Sequence, residues 1–324
     1  MSEVGFRVPD RLVEPFVAGL CGVMDVDGGP TDEQAAVWSA VVTHLLGRGD
    51  LATTGLNPLD PAATAAALDD PVTRHRFHEL ALTLEACRHP LTSEQVERVE
   101  AYCDALGVDG PDRAIFRDLV RAGTERAAAD FRRFLDRTLG ERVDPPLRDV
   151  PAVADTPEPE LAEALLAFES LPDDSLGRAF LDFHTRNRLD VPGVSASPIN
   201  HFFVGHDMTH VIAGIEPTGP GEVALSAFQM AVDDTPLNTA ALLASLVVHE
   251  AGLERSPSVG AEAGILSTPG AAELLGQELA RGAECTGDFS LVDHLALAPL
   301  PLAEVRSRFG VRPPVDPGDG HHRW

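Results

Sequence analysis

The sequence predicts an all-α protein of two helical domains joined by a proline-rich linker, and three observations predict it. Apolar residues recur at spacings of three and four through long alanine- and leucine-rich stretches. Helix-start residues precede several of those stretches: Thr31 is followed by Asp32 and Glu33, and Thr92 has Gln95 three places on. Between Glu141 and Glu160, five prolines and many charges interrupt the pattern. The boundaries that follow are a helical domain over 1–140, a linker over 141–160, a second helical domain over 161–313 and a disordered tail over 314–324.

In the first domain the periodicity predicts helices over Thr31 to Arg48, Pro71 to Arg88, Thr92 to Leu106 and Pro111 to Leu139. The segment VMDVDGGPTDEQ, Val23 to Gln34, places Asp25, Asp27 and Asp32 close together, as a calcium loop would. Counted from Asp25, however, the fifth and sixth positions are Gly29 and Pro30 rather than an oxygen ligand and glycine, so a turn that caps the next helix is expected. This half resembles the TerB-like (tellurite-resistance) helical domains in its D-V-D-G turn, its T-D-E-Q helix start and the helix TSEQVERVEAYCDALGVDG, Thr92 to Gly110. The resemblance implies a small helical module; separately, this domain is the expected place for any protein partners.

Composition bounds the function. The 324 residues carry 25 basic side chains, every one arginine, against 51 acidic ones, for a net charge of −26. Without lysine, Schiff-base chemistry, P-loop nucleotide hydrolysis and protein-kinase chemistry are excluded. Strong negative charge with only 14 Phe, 2 Trp and 1 Tyr argues against extended contact with a nucleic-acid backbone, which needs clustered cations and stacking rings. Cys21, Cys87, Cys103 and Cys285 form no CxxC pair and read as buried reduced thiols. The N-terminus lacks a signal-peptide pattern, and the longest apolar run, near Ala240 to Val248, is about half the roughly 20 residues of a membrane span. A cytoplasmic protein is expected.

The chemistry concentrates beyond the linker, in the stretch from His201 to Val232. On a helix, His206 and His210 are four apart and share a face, the spacing by which two imidazoles grip one metal; Asp207 lies near that face. The helix should stop by Ile215, because Pro217, Gly219, Pro220 and Gly221 follow, and a second helix should start at Glu222 and fold back beside the first. His206, Asp207, His210 and Glu222 could then converge on one divalent cation, with positions left for water or substrate; zinc suits them best, and iron or manganese also fit. The same residues admit a plainer reading, in which His206 and Asp207 cap and hydrogen-bond while Glu222 complements a helix dipole. Phe202, Phe203, Val211, Ile212, Leu225, Phe228 and Met230 flank the polar set, most of them expected in the core.

HDxxH followed after eleven residues by Glu resembles the signature of the coenzyme Q (ubiquinone) biosynthesis protein four family. LPDDSLGRAFLDFHTRNRLD, Leu171 to Asp190, and LPLAEVRSRFGV, Leu300 to Val311, are similar to that family's preceding and closing segments. The resemblance implies a helical metal protein associated with ring decarboxylation and hydroxylation of a polyprenylated benzenoid precursor, with His206, Asp207, His210 and Glu222 as metal ligands and Asp207 and Glu222 as the catalytic pair. It departs at Met208 and Thr209, where an aromatic pair is expected, and in carrying the N-terminal module. Two alternatives stay open. One is a non-catalytic lipid-binding or scaffold protein with a structural metal; the other is a metal-dependent hydrolase with Asp207 as general base. The implied partner is a hydrophobic prenylated small molecule or lipid. Peripheral contact with the inner membrane face would need a basic patch such as Arg306, Arg308 and Arg312 to offset the net charge.

Elsewhere, His249 and Glu250 begin like a zincin motif, but Leu253 stands where the second histidine belongs, so a solvent-facing helix end is expected. His201 and His294 read as ordinary hydrogen-bonded histidines, and His321 and His322 as part of the disordered end. The acid pairs Asp69 and Asp70, Asp173 and Asp174, and Asp233 and Asp234 read as solvated loop residues.

Overall fold

A computed structural model describes residues 5–54, 56–108, 113–122, 124–151, 153–252 and 263–324. Regular structure among them is helical, with three isolated bridges and no strand. The first half contributes α1 (Asp10–Met24), α2 (Asp32–Ala40), α3 (Gly49–Thr54), α4 (Pro61–Ala67), α5 (Pro71–Ala86), α6 (Ser93–Leu106), α7 (Arg113–Ala122) and α8 (Thr124–Arg142). The second contributes α9 (Pro159–Leu166), α10 (Leu176–Asn187), α11 (Asn200–Ala213), α12 (Gly219–Val232), α13 (Pro236–Ser245), α14 (Ala271–Ala283), α15 (His294–Leu297) and α16 (Leu302–Phe309). Leu253, invoked against the zincin pattern, lies outside the described residues.

The starts follow from side chains that occupy otherwise unpaired backbone N–H groups. Thr31 accepts the Gln34 N–H while the Gln34 amide answers the Thr31 N–H, a full capping box. Thr92 accepts the Gln95 N–H, and Asp70, read as a solvated loop residue, caps α5 at 2.8 Å. Caps of this kind contribute about 0.5–2 kcal/mol each. Two helices run on through π-helical turns, α2 through Val41–Leu45 and α13 through Leu246–Glu250.

The linker interrupts the helices but not the core. One apolar cluster joins Phe16, Phe77, Tyr102 and Phe131 of the first half to Val223, Ala227, Met230, Leu275 and Leu279 of the second. A second cluster, built from Phe180, Phe183, Met208, Ile212, Leu225, Phe228 and Phe289, lies on the other flank of α12. This helix is therefore buried all round, as expected for one that is apolar on every face. Polar contacts cross the same divide: Arg76 pairs with Asp234 at 2.9 Å, so Asp234 is not a solvated loop residue. Arg142 is buried and donates to Gln229 Oε1 and to the Leu237 carbonyl. The expected separation into 1–140 and 161–313 is thus corrected, because α14 packs on α2, and α13 on α5 and α8, within one shared apolar core.

The seam itself is pinned at both ends. Asp144 is buried against His294, 2.7 Å from its Nδ1, and Glu158 lies 2.7 Å from His201 Nε2. Both histidines hold the hydrogen-bonded roles expected of them. The tail over 314–324 is corrected more sharply. His322 is 6% exposed, between Glu278 and Asp319, and Arg306 stacks on Trp324 with its guanidinium carbon 3.7 Å from the ring centroid. The Glu216 N–H donates to the His321 carbonyl and the Arg323 N–H to the Gly214 carbonyl. No helix among the described residues is long and apolar enough to cross a membrane.

Candidate metal centre

The centre is made by α11, α12 and the turn between them. Gly214 ends α11 in the left-handed conformation, φ 71°, which glycine adopts without strain. α12 begins three residues earlier than its sequence suggests, because Thr218 caps it by accepting the Gly221 N–H at 3.1 Å. Gly219, Pro220 and Gly221 are tolerated there because first-turn N–H groups have no intrahelical partner. A side chain at Gly221 would sit 2.1 Å from the Glu216 carbonyl oxygen, so the turn closes only with glycine at that position. Glu222 consequently points from the first turn of α12 back at the two histidines of α11.

His206 Nε2 and His210 Nε2 are 3.3 Å apart; Glu222 places Oε2 3.3 Å from the former and Oε1 3.3 Å from the latter. A tetrahedral ion held at about 2.0–2.1 Å needs donors about 3.3–3.4 Å apart, so the donor set fits a divalent cation. His210 is oriented for it: Nδ1 lies 2.9 Å from the Ile215 carbonyl, to which it donates, leaving the Nε2 lone pair toward Glu222. The C-terminal tail holds that carbonyl's segment in place through the bridge between Ile215 and His322. Phe183 stacks on the His210 ring at 5.4 Å.

Electrostatics follow from burial and proximity. Burial alone would push the Glu222 carboxyl up, but His210 and His206 outweigh it and hold it well below the usual carboxylate range. Burial likewise works against the His210 imidazolium, and Glu222 with Asp207 overcomes this, raising its pKa. The His210 side chain is inaccessible to solvent, whereas His206 and Glu222 keep 16% and 21% exposure, so the centre opens on one side. Phe202 stacks on the His206 ring at 5.0 Å and Phe203 meets it edge-on at 6.0 Å, giving the opening a half-buried aromatic rim.

Three of the four expected donors are therefore together, and Asp207 is not among them. Its Oδ2 lies 3.0 Å from His184 Nε2 of α10, one step round α11 from the metal-facing side. His184 Nδ1 is committed to the Phe180 carbonyl at 2.9 Å, which turns Nε2 toward Asp207. His184 was missed from sequence; the only signal was its place in the polar end of an otherwise apolar helix. Val211, Ile212, Leu225, Phe228 and Met230 are core residues, as expected. Of the arginines expected to form a basic patch, Arg306 donates to the Ile212 and Val211 carbonyls, while Arg312 makes an exposed pair with Glu284 at 2.8 Å. A cleft of about 390 Å³ beside Arg186, Arg306 and Trp324 is lined by none of the three donors.

His249 and Glu250 are buried rather than solvent-facing. Glu250 lies within a polar cluster with Glu33 and His89, a juxtaposition that sequence spacing does not reveal.

No family profile matches the chain, and no curated protein matches it. Among solved structures it is similar to a protein from Nostoc punctiforme provisionally assigned to ubiquinone biosynthesis. The match has a TM-score of 0.34 and 16% identity, covering 76% of this chain and 98% of that one.

Proposed function

We propose that this chain is a divalent-metal protein that binds a hydrophobic aromatic small molecule of prenylated-quinone or related metabolism at the His206, His210 and Glu222 centre. The observation that carries the metal is the set of 3.3 Å separations among those donors, which come from two helices and a glycine-dependent turn. The quinone assignment rests on the HDxxH and Glu222 spacing that resembles the coenzyme Q family. The aromatic rim at Phe202 and Phe203 suits an apolar ring or chain. A bound divalent ion, zinc or alternatively iron or manganese, supplies positive charge to neutralise and orient a ring carboxylate or phenolate. His210 is held for that role by Ile215, and Glu222 completes the donor set while balancing charge.

Asp207 is better read as a positioning group than as a ligand or general base, since its carboxylate lies on the adjoining flank, 3.0 Å from His184 Nε2. That placement counts against the hydrolase alternative. With Arg306 committed to the Val211 and Ile212 carbonyls, the reading favours a small-molecule ligand over a membrane surface. Catalysis and scaffolding separate in cells. A strain in which Glu222→Gln replaces the native chain should accumulate an aromatic carboxylate precursor in its lipid extract, as a deletion strain does. A normal extract from that strain would remove the catalytic reading and leave a metal that only joins two helices.

A further inference from the structure

Glu33 in the first turn of α2, His89 just after α5, and Glu250 at the end of the π-helical turn after α13 bring one imidazole and two carboxylates together across the divide between the two halves. Their donor atoms lie within 4.8 Å of one another, on elements separate from α11 and α12. His89 Nε2 is 2.5 Å from Glu250 Oε1 and 3.9 Å from Glu33 Oε2. These two distances bracket the donor spacing of about 3.3 Å that a small tetrahedral ion requires.

The surroundings are those of a built site rather than a solvated acidic surface. Glu250 is inaccessible to solvent, and its Oε2 accepts the Leu266 N–H at 2.9 Å, which aims Oε1 at the imidazole. The Glu33 side chain is only 10% exposed, and its Oε1 is shielded from solvent and has no hydrogen-bond partner among the described residues. A buried carboxylate oxygen left in that condition costs on the order of 1–3 kcal/mol, which a coordinated cation would recover. Among the described residues no guanidinium pairs with Glu33 or Glu250; the neighbouring Arg88 is spent on Gln34 and the Val26 and Gly29 carbonyls. Burial, followed by the Glu250 charge, pushes Glu33 up to about 7. Burial and the same two glutamates also raise the thiol of buried Cys87 well above its ordinary value. His89, 37% exposed in its side chain, is the way in.

We propose that Glu33, His89 and Glu250 form a second divalent-cation site, taking a first-row transition ion such as Zn²⁺ and joining the two halves of the molecule. The donor set of one nitrogen and two oxygens suits that class, and water would complete the coordination. The test uses the full-length chain, stripped with chelator and titrated with Zn²⁺ by calorimetry, with Co²⁺ absorption as a spectroscopic probe. The unaltered protein should bind two equivalents, and Glu222→Gln should retain one. Glu33→Gln and His89→Ala should each remove that remaining equivalent, together with the rise in Tm on adding Zn²⁺. Glu33→Gln relieves like-charge repulsion and His89 is half-exposed, so both variants should fold without metal. If Glu222→Gln binds no Zn²⁺, or its remaining equivalent survives both substitutions, the proposal is wrong. A single equivalent in the unaltered protein, lost with both Glu33→Gln and His89→Ala and untouched by Glu222→Gln, would instead overturn the α11 and α12 centre and leave this site standing.

Discussion

His210 shows how far a single residue's position depends on groups remote in sequence. Its Nδ1 is held by Ile215, which the chain's last residues brace through the His322 bridge and the hydrogen bonds at Glu216 and Arg323. His322 in turn sits between Glu278 of α14 and Asp319, with Arg281 engaged on Glu278 from the same helix. Burial disfavours the His322 imidazolium, and the two carboxylates overcome it, so its pKa is raised. A histidine raised in the folded state contributes stability that is complete below its unfolded value of about 6.5 and lost as pH rises through the folded value. Amide exchange at Glu216 and Arg323 should therefore accelerate on the alkaline side, beyond the intrinsic pH effect, and His322→Gln should show the loosened tail already at pH 6. Protection that ignores both pH and the substitution would dismiss this role. Nothing local announced it: Glu278 lies 44 residues away, and a run of Asp, Gly and Pro reads as disorder.

Among the elements, α11 and α12 were the most legible, because an i, i+4 histidine pair, a Pro and Gly turn and a following acid constrain one another. The start of α12 was misplaced by three residues, since Thr218 can cap across a first turn of Gly, Pro and Gly. Asp207 was assigned by adjacency, and only its contact with His184 separates the flank it occupies from the metal-facing one. α14 gave no warning of its importance. Gly276 and Gly282 look like weak points in a helix, yet a side chain at Gly282 would lie 2.2 Å from the Phe228 carbonyl oxygen, and one at Gly276 2.7 Å from the backbone of Ala40. The two glycines let α14 approach α12 on one side and α2 on the other. Gly282→Ala should cost about 1–3 kcal/mol by overpacking. Urea unfolding would measure it, and an unchanged midpoint would show that the helices can part without penalty.

At the scale of the molecule, the all-helical class was readable from periodicity and caps, whereas the division into domains was not. Proline density marks where helices must stop, and it carries no information about which surfaces meet afterwards. Leu275 of α14 and Leu242 of α13 share one apolar core with first-half side chains such as Phe16 and Phe77, with α14 packed on α2 and α13 on α5 and α8. The full chain should accordingly unfold in one cooperative transition. The fragment over 161–324 should aggregate or lose its near-ultraviolet circular dichroism signal, because that apolar face would meet water. A well-folded fragment with the native spectrum would restore the two-domain picture.

The centre at α11 and α12 is tested most directly by metal analysis of full-length protein purified without chelator, beside His210→Ala and Glu222→Gln prepared identically. Each substitution should remove one equivalent of divalent ion while the far-ultraviolet spectrum stays helical. Unchanged metal content in both variants, or no ion in the unaltered protein, would contradict the assignment of His206, His210 and Glu222 as a coordinating set.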